Sequence, residues 1–345
     1  MKLLKILMGV ALVVGVAAGA AGWLLYARIH DPYRAFDSAE QFVDIPAGAG
    51  AALIGARLAE AGVVRDAATF RAAVWMSGRA RDLQAGEYRF DRAISPLDVI
   101  DRLARGDVYR RLITFREGLV ISEMALVFEE RGFGPAAEFE RAAGNASLVH
   151  DLDPEATNLE GYLFPETYAL PRGTSADELV SQMVGLFKRL YDDAMRADAA
   201  AAGLTTRQVV TLASLVEKET ARREERPLVA AVYRNRLRIG MAMQADPTVI
   251  YALQLAGQYD GNLSRADLQF DSPYNTYRYP GLPPGPIAAP GLASLQATLR
   301  PAEVGYLYFV SRNDGTHVFS DTLAEHNRNV QEWQVRYFRE RRQPR

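Results

Sequence analysis

The sequence TTRQVVTLASLVEKET, residues 205–220, has the pattern of one amphipathic helix. Thr205 and Gln208 have the spacing of a capping box, in which each side chain bonds the other residue's backbone N–H, so a helix is predicted to begin there. Apolar residues then recur at the helical period, which predicts that one face of this helix is buried. Glu217 and Glu219 lie at the carboxyl end of the same helix.

These two glutamates are the candidate acid–base groups of the chain. At about 100° per residue, Glu217 lies about 80° and Glu219 about 280° from Val209, so both flank the apolar sector. An ionised carboxyl against apolar surface is penalised, so its pKa rises and it can hold a proton near neutral pH, as a general acid must. Helix-end glutamates that are solvated or paired with Arg222 or Arg223 fit the same pattern. Periodicity alone does not choose between the two glutamates.

Three other stretches have the polar and aromatic content of a binding site: residues 159–168, 243–251 and 272–291. The last of them holds six prolines and three tyrosines, which favours an ordered loop over a linker. Aromatic rings stack on pyranose faces, and side-chain amides pair with hydroxyl or acetamido groups, so rigid loops of this kind suit sugar recognition. Asp246 has a simpler alternative role as the N-cap of the helix that Pro247 begins. The candidate substrate contacts are Glu166, Tyr168, Gln244, Asp246, Asn275 and Tyr277.

Composition excludes several classes of function. The 345 residues include 40 Lys and Arg against 42 Asp and Glu, and a net charge of −2 argues against nucleic acid as the main partner. The absence of cysteine excludes disulfides, thiolate zinc sites and cysteine nucleophiles. His317 and His326 with Glu325 match no standard metal-ligand spacing. We therefore expect neither a metal nor a cofactor.

The N-terminus predicts a membrane anchor. An uncharged run from Ile6 to Ala27 follows a five-residue head that contains two lysines. It matches the roughly 20 residues that a helix needs to cross the hydrocarbon core. A cleaved signal peptide, with residues 18–20 as the cleavage site, is the alternative. Both interpretations place the body of the chain outside the cytoplasm, and the short head is expected to stay inside.

A repeat occupies the region from residue 28 to residue 150. Residues 43–62 and 113–132 each have a short alternating strand, a glycine, an amphipathic helix and a second glycine. Such small α+β units resemble the LysM-like module, which binds glycans that contain N-acetylglucosamine. A spacer or docking domain without a ligand is the alternative. We expect a domain boundary near residue 150.

The region from residue 151 to residue 345 is predicted to be mainly helical. Ser175 begins a helix that is expected to run to Gly203, and Pro227 begins another that Gly240 ends. The turn sequence at residues 313–315 predicts a β-hairpin. The last segment, residues 323–342, is predicted to be a helix with a basic, solvated end.

Taken together, five motifs resemble those of the endolytic murein transglycosylases, the MltG (YceG-like) family. The resemblance spans nearly the whole chain and is specific only when the motifs are combined. The motifs are LEGYLFPETY at 159–168, LASLVEKET at 212–220, NRLRIGMAMQADPTVIY at 235–251, SPYNTYRYPGLPPGPI at 272–287 and FVSRNDGTHVFSDTLAEHN at 309–327.

The resemblance implies an α+β fold: a single N-terminal transmembrane helix, a small LysM-like domain and a mainly helical, lysozyme-like catalytic domain with a β-hairpin. It implies a lyase that cuts the β-1,4 bond between N-acetylmuramic acid and N-acetylglucosamine and leaves a 1,6-anhydro end. The family's catalytic glutamate maps onto Glu217. Nascent peptidoglycan strands would be the substrate, penicillin-binding proteins and other glycan polymerases the partners, and the periplasmic side of the bacterial inner membrane the location.

Two alternatives remain open from the sequence. One is a noncatalytic peptidoglycan-binding or divisome scaffold, which the LysM-like region and the ambiguous glutamates would fit. The other is a hydrolytic muramidase, in which Glu217 works with a second carboxylate such as Glu166 or Asp246.

Overall fold

A computed structural model describes residues 2–337 and 339, and of residues 2–5 the backbone alone. The fold mixes helices and strands, and it divides into two compact units. The first comprises Met1–Leu112 and Ala169–Gly173, and the second Ile113–Tyr168 and Thr174–Arg345. The predicted basic end of the last helix, residues 340–342, lies outside the described residues, as does the first residue of the predicted head.

The first unit begins with α1 (Lys2–His30). Its segment Ile6–His30 is long and apolar enough to cross a membrane, and its most apolar window is not buried by other described residues. Ile29, near the end of the helix, is by contrast fully buried in the core of the first unit. This arrangement is compatible with a single-pass membrane anchor that continues directly into a folded unit.

The rest of the first unit packs helices on a two-stranded sheet. Strand β1 (Gln41–Ile45) pairs antiparallel with β2 (Gly86–Phe90), with Val43 opposite Tyr88. Between the strands lie two helices, and one follows them; all three bury apolar residues. These helices are α2 (Ala51–Glu60), α3 (Ala67–Ser77) and α4 (Pro96–Arg105). The element order of this part is therefore β–α–α–β–α.

The boundary between the units differs from the predicted one near residue 150. It crosses β3 (Arg110–Thr114) and β4 (Thr167–Pro171), which pair with each other. Both copies of the repeat have the predicted strand, helix and left-handed glycines, but the second copy belongs to the second unit. The physical reason is packing, because Phe115 of that copy contacts the rings of Phe139 and Tyr168.

Helix α9 (Thr206–Glu219) forms the centre of the second unit. Every residue from Val209 to Val216 is buried, and the capping box of Thr205 and Gln208 is present as predicted. Four helices pack against α9, namely α8 (Asp193–Ala201), α10 (Arg226–Arg238), α11 (Asp246–Leu255) and α12 (Leu292–Leu299). The second unit contains α5 (Ile121–Glu130), α6 (Ala136–Ala143), α7 (Ala176–Leu190), α8 (Asp193–Ala201), α10 (Arg226–Arg238), α11 (Asp246–Leu255), α12 (Leu292–Leu299) and α13 (Leu323–Val330).

The C-terminal part follows the sequence prediction in its first half. Strands β5 (Tyr308–Ser311) and β6 (His317–Ser320) form the predicted antiparallel hairpin. After α13, the described chain continues as a π-helical segment, Gln331–Arg336, instead of a regular α-helix.

Two predicted helix boundaries are wrong. The helix that begins after Ser175 does not reach Gly203: it ends at Leu190, and Asp192 caps α8 by accepting a hydrogen bond from the Met195 N–H. Asp246 is also not an N-cap. The N-cap of α11 is Ala245, and Asp246 is the first residue of the helix, with its carboxylate directed elsewhere.

Candidate active site

The two glutamates at the end of α9 open into separate cavities. Glu217 lines a groove of about 670 Å³, and Glu219 lines a smaller cavity of about 250 Å³. The two cavities share no lining residue. Two residues of an α-helix are about 200° apart around its axis. The carboxyl groups of Glu217 and Glu219 therefore point to different sides of α9 and have different neighbours.

The Glu217 carboxyl group receives three hydrogen bonds. Its Oε1 accepts from Arg226 Nη2 at 2.7 Å, and its Oε2 accepts from the Gly291 N–H at 3.0 Å. The hydroxyl of Ser294 donates to the same Oε2 at 2.8 Å. Only 5% of the Glu217 side chain is exposed, so the group is fixed in orientation at the groove wall.

Opposing influences act on the proton affinity of Glu217. Burial raises its pKa above the ordinary value for a glutamate, and the nearby Glu117 carboxylate raises it further. Hydrogen bonds from Gly291 and Ser294 and the charge of Arg226 act in the opposite direction. Because burial dominates, the resulting pKa is raised, and the group can carry a proton closer to neutral pH than an exposed glutamate can.

The groove beside Glu217 is polar and contains charges of both signs. Glu166, one of the predicted contacts, lies on it and is exposed to solvent. The backbone N–H of Thr167 donates to the Glu166 carboxylate at 2.8 Å. The described lining residues are Thr114, Phe115, Arg116, Glu117, Pro165, Glu166, Thr167, Glu217, Lys218, Ala221 and Arg226.

Glu219 has a different environment. The hydroxyl of Tyr233 donates to its Oε1 at 2.6 Å, and burial raises its pKa to about 7. Gln244, Asp246 and Tyr277 gather around Glu219 and not around Glu217. The Tyr277 hydroxyl donates to Asp246 Oδ1 at 2.5 Å. Three predicted contacts thus form one polar cluster, but beside the second glutamate.

Two predicted contacts are structural instead. Asn275 is fully buried, and its Nδ2 donates to the carbonyls of Leu268 and Phe270. Its Oδ1 accepts from the Tyr277 N–H, which leaves no group for a ligand. Tyr168 is 8% exposed, and its hydroxyl donates to the Phe164 carbonyl within the core. Both residues hold their loops in place, and we remove them from the set of candidate contacts.

No pattern in the sequence indicated which residues surround Glu217. Glu117, Arg226, Gly291 and Ser294 come from three separate parts of the chain. Arg226 stands one residue before a proline in the first turn of α10, a position that also suits an ordinary solvated arginine. The structure buries it, with 4% of the residue exposed.

The histidines are engaged in protein contacts. His317 Nδ1 lies 2.7 Å from Glu225 Oε2, and the His326 ring stacks on Tyr308. Among residues 2–337 and 339, no group of three or more His, Cys, Asp or Glu side chains is arranged to hold a metal ion.

The raised pKa of Glu219 predicts a pH-dependent stability. The pKa of Glu219 in the folded chain, about 7, exceeds the ordinary value of 4.5. Its contribution to the free energy of unfolding is therefore fully present below pH 4.5 and is lost as the pH rises towards 7. We expect the free energy of unfolding of the wild type, relative to Glu219→Gln, to fall by about 2–3 kcal/mol over that interval. Denaturant titrations of both proteins at several pH values measure it. A difference that stays constant with pH would contradict the assignment.

The corrected role of Asn275 gives a second prediction. Asn275→Ala removes three buried hydrogen bonds and should lower the free energy of unfolding by about 2 kcal/mol. Gln244→Ala, at an exposed position on the cavity at Glu219, is the matched control and should lower the free energy of unfolding much less. Thermal unfolding of the two variants measures the difference. Equal stabilities would return Asn275 to the candidate contacts.

Comparison with known proteins gives a consistent set of relatives. A family model described as the YceG-like family matches residues 43–332. A Bacillus subtilis protein named endolytic murein transglycosylase is 32% identical over 302 residues, which cover 83% of this chain and 82% of the relative. A Streptococcus pneumoniae protein of the same name is 29% identical, and the match covers 91% of this chain but only 62% of the longer relative.

A solved structure shows the same relationship. The crystal structure of a YceG-like protein from Listeria monocytogenes superposes with a TM-score of 0.58 at 29% sequence identity. The superposition covers 84% of this chain and 98% of the Listeria chain. The similarity therefore includes most of both compact units.

Proposed function

Because the chain belongs to the YceG-like family, whose curated relatives carry the name endolytic murein transglycosylase, we propose that it is a lytic transglycosylase of peptidoglycan. It cuts the β-1,4 bond between N-acetylmuramic acid and N-acetylglucosamine inside a strand and leaves a 1,6-anhydro end. The observation that carries the proposal is Glu217, a buried carboxyl group with a raised pKa on the wall of a 670 Å³ groove.

The groove supports an internal cut. Its volume of about 670 Å³ exceeds the 250 Å³ of the cavity at Glu219, and the larger space is better suited to a polysaccharide segment. Polar residues on both walls offer hydrogen bonds to hydroxyl and acetamido groups. We therefore assign the cleavage step to Glu217, and we assign Glu166 to substrate contact in the same groove.

In the first step, Glu217 donates its proton to the bridging oxygen while the bond from the muramyl C1 to that oxygen breaks. The N-acetylglucosamine side leaves with a free 4-hydroxyl, and positive charge develops at C1. The 6-hydroxyl of the same muramyl residue then attacks C1, and the Glu217 carboxylate takes up the proton that this hydroxyl loses. The proton on Glu217 is thereby restored, and no water is consumed.

The contacts of Glu217 suit both halves of this cycle. Burial favours the protonated form, which is needed at the start. Once the proton has left, the Gly291 N–H, the Ser294 hydroxyl and Arg226 stabilise the carboxylate without any rearrangement of the protein. One carboxyl group is sufficient, since the tethered hydroxyl has a high effective concentration.

A hydrolytic muramidase is the second candidate. Glycosidases that use water or a protein nucleophile need a second carboxylate near the first. Glu117 and Glu166 lie on the same groove as Glu217, and Glu117 shares Arg226 with it. Asp246, the other candidate, lines the separate cavity at Glu219. The product ends distinguish this reaction from the lyase.

The first unit is proposed to bind glycan as a LysM-like module. The antiparallel pair of β1 and β2, with α2 and α3 between the strands, supports this proposal. In the same way, the apolar segment Ile6–His30 supports an uncleaved anchor in the inner membrane, with both units on the periplasmic side. An enzyme held there meets strands as they leave penicillin-binding proteins and other polymerases, which are the proposed partners.

Mass spectrometry of digested glycan tests the function. The full chain in detergent micelles is incubated with uncross-linked murein strands, and the products are separated by length. We expect shortened strands with 1,6-anhydro-muramyl ends. Ordinary reducing ends would show the muramidase instead, and an absence of new ends would leave a noncatalytic scaffold.

A further inference from the structure

Arg226 is shared between two carboxylates in a way that the cleavage cycle above does not explain. A single nitrogen, Nη2, donates to Glu217 Oε1 at 2.7 Å and to Glu117 Oε2 at 3.1 Å. The other two nitrogens of the guanidinium, Nε and Nη1, are buried and have no hydrogen-bond partner among the described residues. Since this NH2 group carries two hydrogens, it bridges the two carboxylates, and both share the positive charge of one arginine.

The shared contact matters because the positive charge of Arg226 opposes the role of Glu217 as an acid. An arginine beside a carboxyl group favours its ionised form, whereas cleavage begins from the protonated form. The three groups carry a net charge of −1 when both carboxylates are ionised and are neutral when Glu217 is protonated. At a site where 5% of Arg226 and 5% of Glu217 is exposed, the neutral combination is favoured.

Glu117 is the more exposed of the two carboxylates, with 42% of its side chain accessible. Keeping Glu117 ionised therefore costs less desolvation than keeping Glu217 ionised. On this basis, which rests on the proposed function, we propose that Glu117 is a positioning residue that keeps Glu217 protonated at the start of the cycle by pairing with Arg226. When Glu217 has given up its proton, the same Nη2 group, already in place, stabilises its carboxylate as well.

Gly291 makes room for this arrangement. A Cβ atom at residue 291 would lie 1.8 Å from Glu117 Oε1 and 2.2 Å from its Cδ, so any side chain there displaces the Glu117 carboxylate. The backbone at Gly291 has φ −77 and ψ 170, an extended conformation that any residue adopts, so alanine fits there. Gly291→Ala should consequently move Glu117 and keep the N–H that donates to Glu217.

Other charged groups face Glu217 from the elements around it. Lys218 follows it on α9 and donates to the Gly118 carbonyl at 3.1 Å. Arg116 and Glu166 lie on the same groove, and the residues contributed by α12 are uncharged. Of the described groups, only Glu117 has an ion pair to the same arginine nitrogen as Glu217.

The pH dependence of cleavage tests this role. A group that acts as an acid loses activity as the pH rises through its pKa. Glu117→Gln removes the competing charge and leaves Arg226 to Glu217, so the basic limb of the pH profile of kcat/KM should move about one unit lower. Gly291→Ala should move it in the same direction. Glu166→Gln removes a groove carboxylate that has no ion pair to Arg226, so it should lower the rate through the lost substrate contact and leave the position of the limb unchanged.

A structural role for Glu117 would lower the rate at every pH and leave the limb unmoved, and that result would overturn the proposal. A second readout does not require activity. The infrared carbonyl band of protonated Glu217, identified by its loss in Glu217→Gln, should titrate at lower pH in Glu117→Gln than in the wild type. An unchanged titration overturns the role of Glu117, whereas a shifted titration in a chain that cleaves nothing contradicts the proposed function alone.

Discussion

We expect Glu217→Gln to lower the rate of glycan cleavage by about a thousandfold, within the range that general acid–base catalysis contributes. Glutamine has nearly the same shape but cannot donate the proton that the leaving oxygen requires. The fold should survive the change, because the Glu117 carboxylate remains as a partner for Arg226 and prevents an uncompensated buried charge. Steady-state cleavage of murein strands, with circular dichroism of the same sample, measures both.

Glu219→Gln is the matched control for this experiment. It makes the same chemical change two residues away on the same helix, in a cavity that shares no lining residue with the groove. The Tyr233 hydroxyl can still donate to the glutamine oxygen, so folding should be retained. We expect much of the cleavage activity to remain. If Glu219→Gln is inactive while Glu217→Gln cleaves, the acid role belongs to Glu219.

Gly161→Ala destabilises the second unit by about 4 kcal/mol, the sum of an unfavourable backbone conformation and an overlap in a packed core. Gly161 has φ +83, a left-handed conformation that alanine adopts at a cost. A Cβ atom there would lie 2.4 Å from Pro286 Cβ and 2.8 Å from Val210 Cγ1. Val210 belongs to α9, so the close approach at Gly161 fixes the proline-rich loop on the helix that carries Glu217.

Gly203→Ala separates the two contributions. Gly203, in the same unit as Gly161, has φ +67, but a Cβ atom there meets nothing within 4 Å. This variant should lower the free energy of unfolding by about 1 kcal/mol, the cost of the left-handed backbone conformation alone. Denaturant titration of both variants measures the difference, and equal losses of stability would show that the overlap at Gly161 is relieved by movement of the loop.

The sequence predicts α9 correctly because its information is local. The capping box at Thr205 and the apolar period are properties of adjacent turns, and both appear in the structure. The period also predicts that the two glutamates flank the buried face, as they do. By contrast, the apolar period of α7 continues past its end, and only the cap at Asp192 shows where α8 begins.

The surroundings of each glutamate were not predictable in the same way. Arg226 and Glu117 are 109 residues apart, and Ser294 is 77 residues from Glu217, so no local pattern connects them. Polar content also does not tell whether a loop residue faces a ligand or its own backbone. Asn275 and Tyr277 are two residues apart, yet one is fully bonded inside the loop and the other lines a cavity.

We propose that the muramyl sugar itself supplies the attacking oxygen after Glu217 protonates the bond. Cleavage of murein strands in water enriched in oxygen-18, followed by mass spectrometry of the new muramyl ends, tests this step. We expect ends that have lost the elements of water and carry no heavy oxygen. New reducing ends with one heavy oxygen atom each would contradict it, since water would then have been the nucleophile.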